Sequence, residues 1–221
     1  NMKLQNQFTI NIIGDSIAAG QGCSAFYQTN EMILELDDKI WYRSKSQNSW
    51  SALLEQELRS GYPDLNLINN GCCGADSTQI LKGLDQLYHQ ENLVLLLVGA
   101  NNRKIPNGME QLRLDLVSMI HHLKKHGSQV VLMTPPPSTI DNENYPNRLY
   151  HLDKVTKIIR DTAFHFDLLC VDLYALIHQY SKLHSLTIEE LMEESGCLSD
   201  GLHPTNKVQA LMADYTKKRI F

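Results

Sequence analysis

A chain of 221 residues, 43% hydrophobic and 20% charged, can build one sizeable core but is short for two, which argues against disorder and for one domain over 1–221. Its net charge of -5, with 20 Lys and Arg against 25 Asp and Glu, gives no electrostatic reason to bind nucleic acid or an anionic membrane surface. Five cysteines, an odd count with no C-x-x-C pair, fit a reducing compartment. Asn1 to Gln7 is polar and lacks the apolar core of a secretory leader. No apolar stretch approaches the roughly 18–20 residues needed to span a bilayer. The expectation is a cytoplasmic protein without membrane insertion, with Asn1 a cloning remnant ahead of a start at Met2.

Apolar runs alternate with segments of helical period, the pattern of a parallel sheet covered by helices. The first run, Phe8 to Ile13, stops at Gly14-Asp15-Ser16-Ile17, where a buried strand hands the chain to a turn and a helix. Residues 23–47 mix charges with Phe26, Tyr27, Trp41 and Tyr42, which reads as an ordered insertion packed on the body. Asn48 or Ser49 caps a helix whose apolar face is Trp50, Leu53, Leu54 and Leu58, ended by Gly61. Leu65 to Ile68 is the second strand, running into Asn69-Asn70-Gly71-Cys72-Cys73-Gly74. Asp76 or Ser77 then caps a helix carrying Ile80, Leu81, Leu84 and Leu87.

Leu93 to Val98 is continuously apolar, as a central strand is, and stops at Gly99-Ala100-Asn101-Asn102. A helix over 108–126 is followed by a strand at Val130 to Met133 and by Pro135-Pro136-Pro137. Pro146 is predicted to open a helix running to Phe166, and Leu168 to Leu173 to form the fifth strand. A helix at Ala175 to Lys182, a capping box at Thr187 and a final helix capped by Thr205 complete the chain. The fold predicted is a three-layer α/β sandwich around five parallel strands, with helices on both faces.

Active groups of an open parallel sheet gather at the carboxyl ends of its strands, where strand order reverses. Ser16, Gly71 and Asn101 follow the first three strands, and His203 stands in the loop before the last helix. Taken singly, Ser16 reads as a cap, Asn101 as a turn residue, Gly71 and Gly74 as turn glycines, and Asp200 with His203 as an unremarkable loop pair. Their joint occurrence carries the chemistry. Acyl transfer by a serine needs a base, a group to orient that base, and donors for the developing oxyanion.

Gly14-Asp15-Ser16-Ile17, Asn69 to Gly74, Gly99-Ala100-Asn101 and Asp200-Gly201-Leu202-His203-Pro204 resemble, in order and spacing, the four motif blocks of the SGNH hydrolases, also called the GDSL esterase/lipase family. The resemblance covers almost the whole chain. It implies a flavodoxin-like strand order, 2-1-3-4-5, and a serine esterase without metal or cofactor. It further implies Ser16 as nucleophile, His203 as general base and acid, and Asp200 as orienter. The oxyanion hole would be the backbone N–H groups of Ser16 and Gly71 with the side-chain amide of Asn101. The chain departs from the family pattern at Asn102, where Asp is common, and in the length of the 23–47 insertion, which bears on substrate class.

The expected activity is hydrolysis of small or medium acyl esters, short-chain or O-acetyl esters favoured, through an acyl-enzyme on a small-molecule substrate. Lysophospholipase, acyl-thioesterase or acyltransferase chemistry on the same triad remains open. So does a non-catalytic flavodoxin-like binding module, although no Gly-x-Gly-x-x-Gly or phosphate loop follows the first strand. Asp15 reads as a turn-holding residue. His121, His122 and His126 lack partners at metal-ligand spacing and read as solvated helix residues. Cys72 and Cys73 read as packed thiols, whose alkylation would block the site if they border it.

Overall fold

A computed structural model of the chain describes Met2 and residues 7–221, so most of the Asn1 to Gln7 reading lies outside the described residues. The first apolar run forms β1 (Thr9–Gly14), in which Ile10, Ile12 and Ile13 are fully buried. It is followed by a short helix, α1 (Ser16–Ala19). The insertion folds as an antiparallel hairpin of β2 (Tyr27–Leu36) and β3 (Lys39–Lys45), a separate two-stranded sheet. Then come α2 (Trp50–Arg59), capped by Ser49, β4 (Asn66–Gly71), α3 (Ser77–Lys82), α4 (Leu84–Leu87) and β5 (Leu93–Leu97). A 3-10 turn at Ala100–Lys104 leads to α5 (Gly108–Lys125), β6 (Gln129–Met133), α6 (Ile140–Glu143) and α7 (Leu152–His165). The chain closes with β7 (Cys170–Val171), α8 (Leu173–Leu183), α9 (Ile188–Leu191) and α10 (Asn206–Ile220).

The five parallel strands lie in the order β4-β1-β5-β6-β7, which is the predicted 2-1-3-4-5. The chain steps from β1 outward to β4 and then back across to β5, β6 and β7. Right-handed crossovers therefore put α2 on one face and α3, α5 and α7 on the other. The helix contacts agree, since α10 packs on α2 and α8 while α5 packs on α3 and α7. Every residue of β5 is buried, which is why its sequence carries no polar alternation.

Register decides where the loops emerge. Gly14 lies opposite Gly71 on one side and Leu97 on the other, so the three central strands end level. Gly14 has no room for a side chain: a Cβ there would stand 1.8 Å from the Leu97 carbonyl oxygen and 2.8 Å from Ala18 Cβ.

Three predicted elements differ. The helix expected from Pro146 starts at Leu152, because the 144–151 segment is held elsewhere: Leu149 N–H donates to Arg103 O at 2.8 Å and Leu152 N–H to Glu143 Oε2 at 2.9 Å. The fifth strand is only Cys170–Val171, because Asp172 caps α8 through Ala175 N–H and turns the chain early. The helix expected over 77–87 is broken at Gly83, where a Cβ would lie 2.3 Å from Leu34 Cδ1 of the hairpin. Among the described residues no helix is long and apolar enough to cross a membrane.

Gly14→Ala is expected to lower stability by about 3 kcal/mol, the upper range for overpacking a close-packed site. Gly127→Ala, at φ +88 with nothing within 4 Å of its Cβ, should lose only about 1 kcal/mol to backbone strain. Thermal unfolding followed by circular dichroism checks both, and equal small shifts would show that the approach of Leu97 does not dictate the glycine.

Candidate active site

Asp15 closes β1 and caps α1. Its Oδ1 accepts the N–H groups of Ile17 at 2.9 Å and Ala18 at 3.3 Å, the role expected of it, while its own N–H donates to Leu97 O at 3.2 Å. Helix α1 ends after one turn at Gly20, in the left-handed region at φ 88. Ser16 thus stands at the first helical position over the carboxyl edge of the sheet, 6% exposed, and its N–H meets no protein acceptor among the described residues. The far end of α1 is pinned by Trp50 Nε1–H and Asn69 Nδ2–H, both donating to Ala18 O.

The loop before α10 reaches this serine from the other end of the chain. Ser16 Oγ lies 2.9 Å from His203 Nε2, and His203 Nδ1 lies 2.5 Å from Asp200 Oδ2. The other carboxylate oxygen, Oδ1, accepts the N–H groups of Leu202 at 3.0 Å and His203 at 2.8 Å, so the three-residue spacing locks carboxylate and imidazole together. Burial raises the Asp200 carboxyl, but the hydrogen bonds from the His203 side chain and backbone outweigh it and hold the group down at about 2. The loop is seated by two close approaches. A Cβ on Gly22 would stand 2.6 Å from the His203 carbonyl carbon, and one on Gly201 would stand 2.3 Å from Thr139 Oγ1.

Asn101 follows β5 at the start of the 3-10 turn and donates through Nδ2 to Ala75 O at 3.0 Å, which sets its amide against the turn after β4. The neighbouring Asn102, where the family commonly has Asp, is fully buried and fully used. Its Oδ1 accepts Ser77 N–H at 3.0 Å, and its Nδ2 donates to Ser77 Oγ at 2.8 Å and Gly108 O at 3.1 Å. A carboxylate could not make the two donations. The charge stands one layer away, where Asp115 of α5 accepts from Ser77 Oγ at 2.6 Å and Thr78 Oγ1 at 2.8 Å.

Gly71 requires a correction. Asn66 N–H donates to Phe8 O and Cys72 N–H to Gly14 O, so the even-numbered amides of β4 face β1 and the Gly71 N–H points to the outer sheet edge. There it donates to Asn69 Oδ1 at 2.8 Å and offers nothing to an oxyanion. Gly71 is glycine for packing, since a Cβ would meet Ala19 N at 2.4 Å. In the turn beyond the strand, beside Asn101, the N–H groups of Cys73 and of Gly74, the latter at φ +81, have no protein acceptor among the described residues. Both glycines stand in one motif, but Gly71 ends the strand with its N–H turned to the outer edge, while Gly74 lies beyond it in the turn.

The two thiols of this block are packed, as their sequence setting suggests. Burial pushes Cys72 up to about 12 and raises the half-buried Cys73 as well, which disfavours the thiolate form of each. Among the described residues no three His, Cys, Asp or Glu side chains gather as metal ligands would.

The sequence model of the GDSL-like lipase/acylhydrolase family matches residues 12–211. An arylesterase of Vibrio mimicus is 26% identical over 206 residues, 89% of this chain and 92% of that protein. The fold is similar to the crystal structure of an acetylxylan esterase from Geobacillus stearothermophilus, with a TM-score of 0.74, 18% identity and coverage of 99% and 96% of the two chains. It is also similar to a lipase/acylhydrolase from Enterococcus faecalis, with a TM-score of 0.69, 19% identity and coverage of 96% and 95%.

Asp15 titrates unusually: burial raises its carboxyl to about 6, against the opposing N–H bonds of Ala18 and Ile17. Because this lies above the ordinary value of 3.8, the stability linked to its proton is complete at low pH and is lost as pH rises through about 6. Asp15→Asn keeps an acceptor oxygen and is expected to shrink the fall in unfolding free energy between about pH 4 and about pH 7, measured in urea. A fall of unchanged size would assign that titration to another group.

Proposed function

This chain belongs to the GDSL-like lipase/acylhydrolase family and is a carboxylic ester hydrolase, and we propose that Ser16, His203 and Asp200 are its catalytic triad. The observation that carries the proposal is the unbroken hydrogen-bond chain from Ser16 Oγ through both nitrogens of His203 to Asp200. As Ser16 Oγ attacks the ester carbonyl carbon, its proton passes to His203 Nε2 and the carbonyl π pair moves onto oxygen. Asp200 accepts from His203 Nδ1–H, holds the tautomer that leaves Nε2 free to act as base, and stabilises the imidazolium. Collapse of the tetrahedral intermediate breaks the bond to the alcohol oxygen, which leaves with the proton from Nε2. Water then attacks the acyl-enzyme with His203 again as base, releasing the acid and restoring the Ser16 hydroxyl.

The oxyanion is held by the N–H groups of Ser16 and Gly74 and by Asn101 Nδ2–H. All three belong to the segments that follow the level carboxyl ends of β1, β4 and β5. Neutral donors already fixed in place need no reorganisation as the charge develops, which is where most of such catalysis arises. The favoured substrates are small esters with short acyl groups, O-acetyl esters included. The arylesterase relative and the acetylxylan esterase of similar fold support that class. The free thiols of Cys23, Cys72, Cys73, Cys170 and Cys197 support a reducing, cytoplasmic setting.

Ser16→Ala is expected to abolish turnover of p-nitrophenyl acetate with the circular dichroism spectrum unchanged, and residual turnover at the parent rate would mean another nucleophile. Asn101→Ala should lower kcat by roughly 10²–10³, the cost of one oxyanion donor. A rate within a few-fold of the parent would take Asn101 out of the hole. Across p-nitrophenyl esters from acetate to long acyl chains, kcat/KM should fall steeply beyond short chains, whereas a rise with chain length would point to lipase or thioesterase chemistry.

A further inference from the structure

The hairpin β2–β3 reaches the oxyanion turn through one directed contact. Trp41, 4% exposed, donates its indole Nε1–H to the Cys73 carbonyl oxygen at 2.9 Å. That carbonyl and the Gly74 N–H belong to the same planar peptide unit, with C=O and N–H pointing in opposite directions. A bond that fixes the oxygen therefore fixes the direction of the N–H on the other side. It also draws electron density from the amide nitrogen, making its hydrogen a stronger donor.

We propose that Trp41 is a positioning residue for catalysis, aiming and polarising the Cys73–Gly74 peptide so that the Gly74 N–H meets the oxyanion. The proposal rests on the reading of Ser16 as nucleophile and Gly74 as oxyanion donor. The turn has little else to hold that peptide: its own backbone bond is Ala75 N–H to Cys72 O at 3.1 Å, which spans the peptide without touching it. The indole, by contrast, is rigidly mounted. Arg43 of the hairpin donates to Asn69 O at 2.7 Å and Asn70 Oδ1 at 2.9 Å. On the other flank Leu34 sits on Gly83, and Glu35 exchanges two backbone bonds with the Gln86 side chain, at 2.9 and 2.8 Å. Lys39 Nζ covers the indole face, 4.5 Å from its centroid. The hairpin thus holds the ring from both sides, and the ring holds the peptide.

The test removes the indole N–H while keeping an aromatic ring. Trp41→Phe is one variant, and benzothienylalanine introduced at position 41 is a second that preserves the ring's shape if phenylalanine packs poorly. With p-nitrophenyl acetate both should lower kcat about tenfold while KM stays within about twofold, a smaller loss than deleting an oxyanion donor outright. The inhibition constant of phenylboronic acid, whose tetrahedral serine adduct places an oxygen in the same hole, should rise by a similar factor. Gly127→Ala, which lowers stability without touching the hairpin, should lower Tm yet keep kcat near the parent value well below Tm. Parent-like kcat and inhibition in both Trp41 variants, with Ser16→Ala inactive, would overturn the proposal. So would a Gly127→Ala variant that loses kcat as much as they do. Activity surviving in Ser16→Ala would instead sink the reading on which the proposal rests.

Discussion

The level ending of β4, β1 and β5 is the constraint on which the rest of the site depends. Gly14 pairs with Gly71 and Leu97, and its missing side chain lets Leu97 O and Ala18 close in from two directions. Three loops therefore leave the sheet side by side and at one height. A one-residue slip of β4 would reverse which of its amides face β1, and the turn carrying Gly74 would no longer stand beside Asn101. The chemistry is borne by loops, but its geometry is set by strand register.

Short loops at such an edge expose backbone polar groups, and here buried side-chain amides satisfy them. Asn70 and Asn11 bond each other and both donate to Leu87 O. Asn69 ties β4 to α1, and Asn102 with Ser77 and Asp115 ties the turn after β5 to α3 and α5. Each such group would be expensive to leave unpaired, so the networks rigidify the loops as well as satisfy them. Asp15 belongs to this framework although it adjoins the serine, because both N–H groups it accepts shape the turn.

The fourth part of the site arrives from the far end of the chain. Asp200 and His203 form a nearly self-contained unit, and the loop bearing them is seated against the residues after α1 through the bare backbone of Gly22. Placing His203 and Asp200 on one short segment means that a single docking event aligns both with Ser16. The insertion plays the complementary part on the opposite side, where Trp41 meets the turn after β4.

The amino-acid sequence by itself determined the layered α/β fold, the strand order implied by its motif blocks, and the caps at Thr187 and Thr205, because each depends on local burial pattern or on a neighbouring N–H. It also singled out Ser16, Asn101, Asp200 and His203, whose residue types and order are carried in the chain. Tertiary structure alone turned the Gly71 N–H to the outer edge of the sheet, since strand pairing settles which amides of β4 face β1. It also decided the late start of α7, where Pro146 is a good first helical residue but the Arg103 and Glu143 contacts hold the preceding segment open. The same holds for the break at Gly83 and for the bond from Trp41 to Cys73, because each is made between residues far apart in the chain, and no local pattern encodes a partner that only folding brings near.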